Sequence, residues 1–101
     1  MGAVLQPSGP LDREGCAALR RDLSTALAQR AEHIVLDFSQ VTHLEVEAVQ
    51  LLRGVERFLG DRQGGLVIVN PSPEALAGLR VNDLADLMSL SDLPVHVRTA
   101  S

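Results

Sequence analysis

Tryptophan, tyrosine and lysine are missing from this sequence, and its aromatic side chains are confined to Phe38 and Phe58. Without a series of aromatic faces there is no platform for stacking single-stranded bases. All nine basic residues are arginines, scattered among thirteen acids for a net charge of −4, so no basic stripe follows a duplex. Nucleic acid is not expected as a partner. A single cysteine, Cys16, permits no internal disulfide, which suits a reducing, cytoplasmic setting. Its place on the inner face of the first helix reads as a buried thiol and not a nucleophile. No apolar run approaches the roughly 20 residues of a spanning helix, and the N-terminus lacks a signal peptide's basic start. Membrane insertion is not expected either.

What remains is a chain of 101 residues, 46% apolar, long enough to bury one core without staples. It reads as a single domain, residues 1–101, with no linker, repeat or low-complexity tract. Ala3-Val-Leu-Gln forms a short edge strand, stopped by Pro7, Ser8, Gly9 and Pro10. Asp12 caps a first helix running to about Gln29, with Leu11 and Cys16 spaced as a hydrophobic staple. Ile34 to Phe38, apolar apart from Asp37, predicts a central strand covered on both faces. Leu66-Val-Ile-Val reads the same way, and Val95-His-Val as a last edge strand.

A short polar turn after Asp37 leads into a second helix from about residue 45 to Gly60, and Thr42 and Glu45 have capping-box spacing at its start. Helical periodicity buries Ala48, Leu52, Val55 and Leu59 and turns Glu47, Gln50, Gly54, Arg57 and Asp61 to solvent. Leu51 and Phe58 fall on the border. Gly54 weakens the helix but lets another backbone approach. Ser72 and Pro73 start a third helix carrying Leu76 and Leu79. Asn82 ends it, and Asp83 is expected to cap a short fourth helix with Leu84, Leu87 and Met88. Strands alternating with helices predict an α/β fold, β–α–β–α–β–α–β, with a mostly parallel sheet of four to five strands and about four helices.

Catalytic signatures are sparse. Glu45 and Glu47 are two apart, so on a helix they diverge instead of facing each other as an acid–base pair. There is no phosphate-binding glycine loop and no nucleophile elbow. His43 and Glu47 supply at most two metal ligands, and His33 and His96 are scattered. Neither a cofactor nor a metal is expected, and the chain does not read as an enzyme. Asp37 is expected to accept hydrogen bonds in the following turn with Ser39, and to shape the loop from beneath.

Several segments, in order, resemble the STAS domain, the module of anti-sigma factor antagonists and sulphate-transporter tails. Gly9-Pro-Leu-Asp12 resembles the Gly-x-Leu-Asp that opens that family's first helix. Val35-Leu-Asp-Phe-Ser39 resembles its Leu-Asp-Leu-Ser strand end, and Leu79-Arg-Val-Asn-Asp-Leu84 is similar to its late Leu-x-x-x-Gly-Leu. Val41 to Ala48 stands where the family carries Asp-Ser-Ser-Gly, so Glu45, Val46, Glu47 and Ala48 take those four places. Glu47 falls at the phosphoacceptor-equivalent position, and no hydroxyl remains in the motif.

The resemblance implies a cytoplasmic bacterial protein of transcription regulation, acting by partner switching with an anti-sigma factor that is also a serine kinase. It implies a contact surface of Thr42, Leu44, Glu45, Val46, Glu47, Gln50, Leu51, Gly54 and Arg57. Glu47 either mimics phosphoserine, belongs to a domain outside that cycle, or simply stabilises the helix N-terminus. The alternative is a STAS accessory subunit bracing the ATPase of an ABC-type lipid or solute transporter. Family members carry a further strand before Gly-x-Leu-Asp. The few residues preceding it here suggest a shortened first hairpin and an open sheet edge, where a homodimer or partner could form.

Overall fold

A computed structural model describes residues 2–88. The chain order is β1 (Gly2–Leu5), β2 (Ser8–Leu11), α1 (Arg13–Ala28), β3 (His33–Asp37), β4 (Gln40–Leu44), α2 (Val46–Gly60), β5 (Gly65–Val69) and α3 (Pro73–Val81). A 3-10 turn, Ala85–Leu87, follows. The fold is α/β as expected, and every strand pairing is parallel. The expected strand at Val95-His-Val lies outside the described residues, but Met88 already makes a parallel bridge to Ile68 of β5.

Five strands form two sheets instead of one: β1-β3-β5 and β2-β4. Two of these strands were not foreseen. The sequence of Ser8–Leu11 predicts a stop because of Gly9 and Pro10, yet the segment pairs with β4. Its ladder tolerates the proline because the register shifts between Gly9 and Pro10, where Gly9 adopts φ +78°. The sequence after Asp37 predicts a polar turn, but Gln40–Leu44 is a strand in which Val41 and Leu44 face the core while Gln40, Thr42 and His43 are exposed. The N-terminal segment is likewise no shortened hairpin. β1 and β2 do not pair with each other; each feeds a different sheet.

Local chemistry sets the helix ends. Asp12 Oδ1 accepts from the Gly15 amide at 2.9 Å, and Leu11 and Cys16 are both fully buried beside that cap. Ser72 Oγ accepts from the Ala75 amide at 3.0 Å, with Pro73 in the first turn. The same hydroxyl donates to the Val41 carbonyl, fastening α3 to β4. The Thr42–Glu45 capping box does not form, because Thr42 is committed to β4. Glu45 is the N-cap of α2 and makes no side-chain cap bond. Asp83 caps nothing: the turn after α3 takes it to φ +58°, and Leu84 stands at the N-cap of the 3-10 turn. The described helices are therefore three α-helices and one 3-10 turn.

One core joins these elements. The α2 stripe Ala48, Leu52, Val55 and Leu59 is buried as its periodicity dictates, together with Leu19 and Leu23 of α1, Ile34 and Leu36 of β3, and Ile68 of β5. Val35 and Val67 on the other face of the central strands are only half-buried among the described residues, so the expectation of two fully covered faces is not met. Phe38, fully buried, fills the corner between β3 and β4. Phe38→Ala should cost about 3–5 kcal/mol through lost transfer energy and a residual cavity, measured by urea denaturation.

Candidate functional site

The chain leaves the three-stranded sheet at Asp37 and enters β4 three residues later. Asp37 Oδ1 accepts from the Ser39 amide at 2.9 Å, the turn bond expected for this aspartate. Gln6 Nε2, from the matching corner between β1 and β2, donates to Asp37 Oδ2 and Ser39 Oγ, both at 3.4 Å. Phe38 closes the corner through its backbone: its amide donates to the Val69 carbonyl at 3.0 Å, and its carbonyl accepts from the Val41 and Ser72 amides. The Ser39 bonds, with help from Asn70 and Gln6, hold the Asp37 carboxyl below the ordinary carboxylate range.

This corner aims β4 at a rim formed by Glu45, Val46 and Glu47. The Glu45 amide donates to the Leu11 carbonyl at 3.2 Å, which fixes the start of α2 against β2. Glu45 and Glu47 are exposed, and Val46 is 65% exposed. His43 Nε2 stands 3.5 Å from Glu45 Oε2. Down α2, Glu47, Gln50, Leu51, Gly54 and Arg57 share one side at helical spacing. Leu51 is half-buried and the others are exposed. A Cβ at Gly54 would meet nothing within 4 Å, so the glycine is not demanded by packing inside the domain.

Leu44 is a correction to the expected surface. Only 6% exposed, it faces α3 and belongs to the core, because inward positions of β4 are needed to seat that helix. Thr42 and His43, on the other face of the strand, are exposed. Cys16 is fully buried, and desolvation, followed by the negative charge of Glu47, pushes its thiol above the ordinary range. That is the opposite of what a nucleophile requires. Among the described residues no group of three His, Cys, Asp or Glu is placed to hold a metal ion. Among the described residues no helix is long and apolar enough to cross a membrane.

Two features of the surface had no local signature. Arg53 spans α2 and the 3-10 turn: Nη1 reaches Glu56 Oε1 at 2.7 Å and Asp86 Oδ2 at 3.1 Å, while Nη2 reaches Asp86 Oδ1 at 2.9 Å and the Asp83 carbonyl at 2.7 Å. Of these only the Arg53–Glu56 spacing was visible in sequence. Gln6 was the other, since its partners lie more than thirty residues away. A cavity of about 500 Å³ opens at the opposite end of α2, against Leu27, Ala31 and Phe58, where the Arg62 guanidinium lies 3.8 Å over the Phe58 ring.

Parallel strands on one side of a rim and an amphipathic helix descending from it define an α/β domain that offers a face. The family model described as "Mlab, STAS domain" matches residues 2–92, and the chain belongs to the STAS domain family. Among solved structures it is similar to that of the anti-sigma factor antagonist SpoIIAA in its unphosphorylated form. The identity is 24%, the TM-score 0.72, and the match covers 86% of this chain and 78% of that one. No curated protein matches the chain. At that identity the structural likeness establishes the fold.

Asp37 gives the corner a pH dependence. A carboxyl whose folded pKa is depressed contributes stability that is present above its unfolded pKa and lost as pH falls through the folded one. Asp37→Asn should therefore be less stable than the native chain at neutral pH. The difference should shrink as pH falls below the usual carboxylate range, as read by thermal denaturation across pH.

Proposed function

We propose that this chain is a non-enzymatic docking domain that acts in the cytoplasm as an anti-sigma factor antagonist does, without phosphorylation at position 47. One observation carries the reading: the outward face of α2 is exposed at Glu47, Gln50, Gly54 and Arg57, and its central glycine is not required by packing. A helix made for packing alone gains about 1 kcal/mol from alanine at such a site. A flat, side-chain-free patch instead admits a partner's backbone. The partner class on this reading is an anti-sigma factor with serine kinase character, and the contact surface is Thr42, Glu45, Val46, Glu47, Gln50, Leu51, Gly54 and Arg57.

Glu47 supports the uncoupling from phosphorylation. It offers a carboxylate where the family pattern has an alcohol, and Glu45, Val46 and Ala48 offer no hydroxyl either. A carboxylate carries one charge where phosphoserine carries nearly two, and it also suits the free amides of the first helical turn. That same lack of a hydroxyl favours a second reading, an accessory subunit bracing an ABC-type transporter ATPase, which needs no phosphoacceptor. The outer edge of β1, which pairs with no other strand among the described residues and bears Val4 at 72% exposure, is the place for self-association on either reading.

Four outcomes are expected. Affinity capture from cell extract should recover a kinase-like anti-sigma factor, whereas an ABC ATPase would establish the second reading. Gly54→Arg should cut that recovery about tenfold, as expected for a change at the centre of an interface, and unchanged recovery would remove the α2 face from the interface. Gly54→Ala should raise stability by about 1 kcal/mol in chemical denaturation, since the added methyl meets no neighbour. Finally, Glu47→Ser alone should take no label from the kinase and labelled ATP, because the flanking residues still depart from the acceptor motif; label on the new serine would refute the point.

A further inference from the structure

Beside the rim, α3 lies along β4. Gly78 allows the close approach, since a Cβ there would stand 2.9 Å from Leu44 Cδ1 and 3.1 Å from Leu44 Cβ. Between the two elements runs an open cleft of about 370 Å³ with Leu44, Ala77 and Gly78 in its floor and walls. Val81, 85% exposed, stands at one end, with Glu74 and His43 on the margins. β4 passes directly into Glu45, so the cleft adjoins the α2 rim, where Val46 is a further large aliphatic side chain left in water. Two exposed valines stand near this apolar floor; the exposed charged groups around them are the acids Glu45, Glu47 and Glu74 and one cation, Arg80, next to Val81 in α3. None of the described residues lining the cleft is an arginine.

We infer that this cleft and the adjoining rim receive one segment of the protein partner, an aliphatic side chain flanked by arginine or lysine. The inference rests on the docking reading above and adds the chemistry of what docks. The aliphatic group covers Ala77, Val46 and Val81, taking the exposed apolar surface out of water. The flanking cations meet Glu45, Glu47 and Glu74. Such exposed ion pairs add little affinity singly, but they steer encounter and exclude acidic competitors. Charge complementarity selects a basic segment over an acidic one, and the chain's net charge of −4 acts in the same direction.

The test is an NMR titration of the isotope-labelled full chain with two synthetic peptides of equal length. One alternates arginine with leucine and valine, and the other has every arginine replaced by glutamate. The basic peptide should shift the amides of Thr42, His43, Glu47, Ala77 and Val81 together, with affinity falling about tenfold from low to high salt. The acidic peptide should shift none of them. Ala77→Arg, at an exposed position where folding tolerates the change, should weaken the basic peptide at least about tenfold. Shifts confined to Gln50, Gly54 and Arg57 would overturn the cleft while leaving the docking face of α2 in place. Shifts scattered over remote acids such as Glu14, Asp22 and Asp61, or no shifts, would overturn it as well. The docking reading itself is decided separately, by the capture experiment with Gly54→Arg.

Discussion

A single turn, Asp37-Phe38-Ser39, governs where everything outward of the core is placed. The carboxylate of Asp37 takes the Ser39 amide, the Phe38 ring is sealed inside, and the Phe38 carbonyl accepts from two different strand and loop segments. Together they force the chain out of the three-stranded sheet and into β4 within three residues. Because β4 runs straight into α2, the direction of that turn sets the direction of the helix. Gln6 ties the parallel corner of the first two strands to the same point, so both exits from the sheet are held by one carboxylate. A polar residue ending an apolar strand thus has a structural cause that is complete without any ligand.

From that corner the chain divides its second helix between two environments. The inward stripe is aliphatic and fully buried; the outward side is polar, exposed and interrupted by a glycine that packing does not ask for. Acids at its beginning and arginine near its end agree with the helix dipole. Those charges therefore have a helix-stabilising explanation as well as a recognition one. Gly54 has no such helix-stabilising explanation, since a glycine inside a helix is unfavourable and packing does not require it here. The chain belongs to the STAS family and its fold is like that of SpoIIAA, and the start of α2, from Glu45 to Ala48, carries no hydroxyl.

Periodicity made the helices legible. The α2 stripe, the Asp12 cap, the Ser72-Pro73 start and the Asn82 stop all lie where spacing and capping chemistry put them. The strands were harder, because β2 and β4 are four and five residues long and break the alternating pattern that marks a strand. Pro10 argued against β2 until the register shift gave it a place, and Thr42-His43 put two exposed residues in succession within β4. The candidate face was readable where it depends on helical phase, at Glu47, Gln50, Gly54 and Arg57. It was misread at Leu44, where the answer depends on α3 arriving from thirty residues downstream. Arg53 and Gln6 were invisible for the same reason, since their partners are remote in sequence.

The exclusively parallel ladders have a kinetic corollary. Gly2 meets His33, Ser8 meets Gln40 and His33 meets Gly65, so each pairing must close a loop of roughly thirty residues before any of it is rewarded. Among the described residues no hairpin is available as a seed. Early order must therefore reside in helical turns, and the sheets assemble only after a helix has bridged the gap between their strands. In a lengthening polypeptide emerging from synthesis, the first sheet contact has to wait for His33, and the amino-terminal strand spends that interval without a mate.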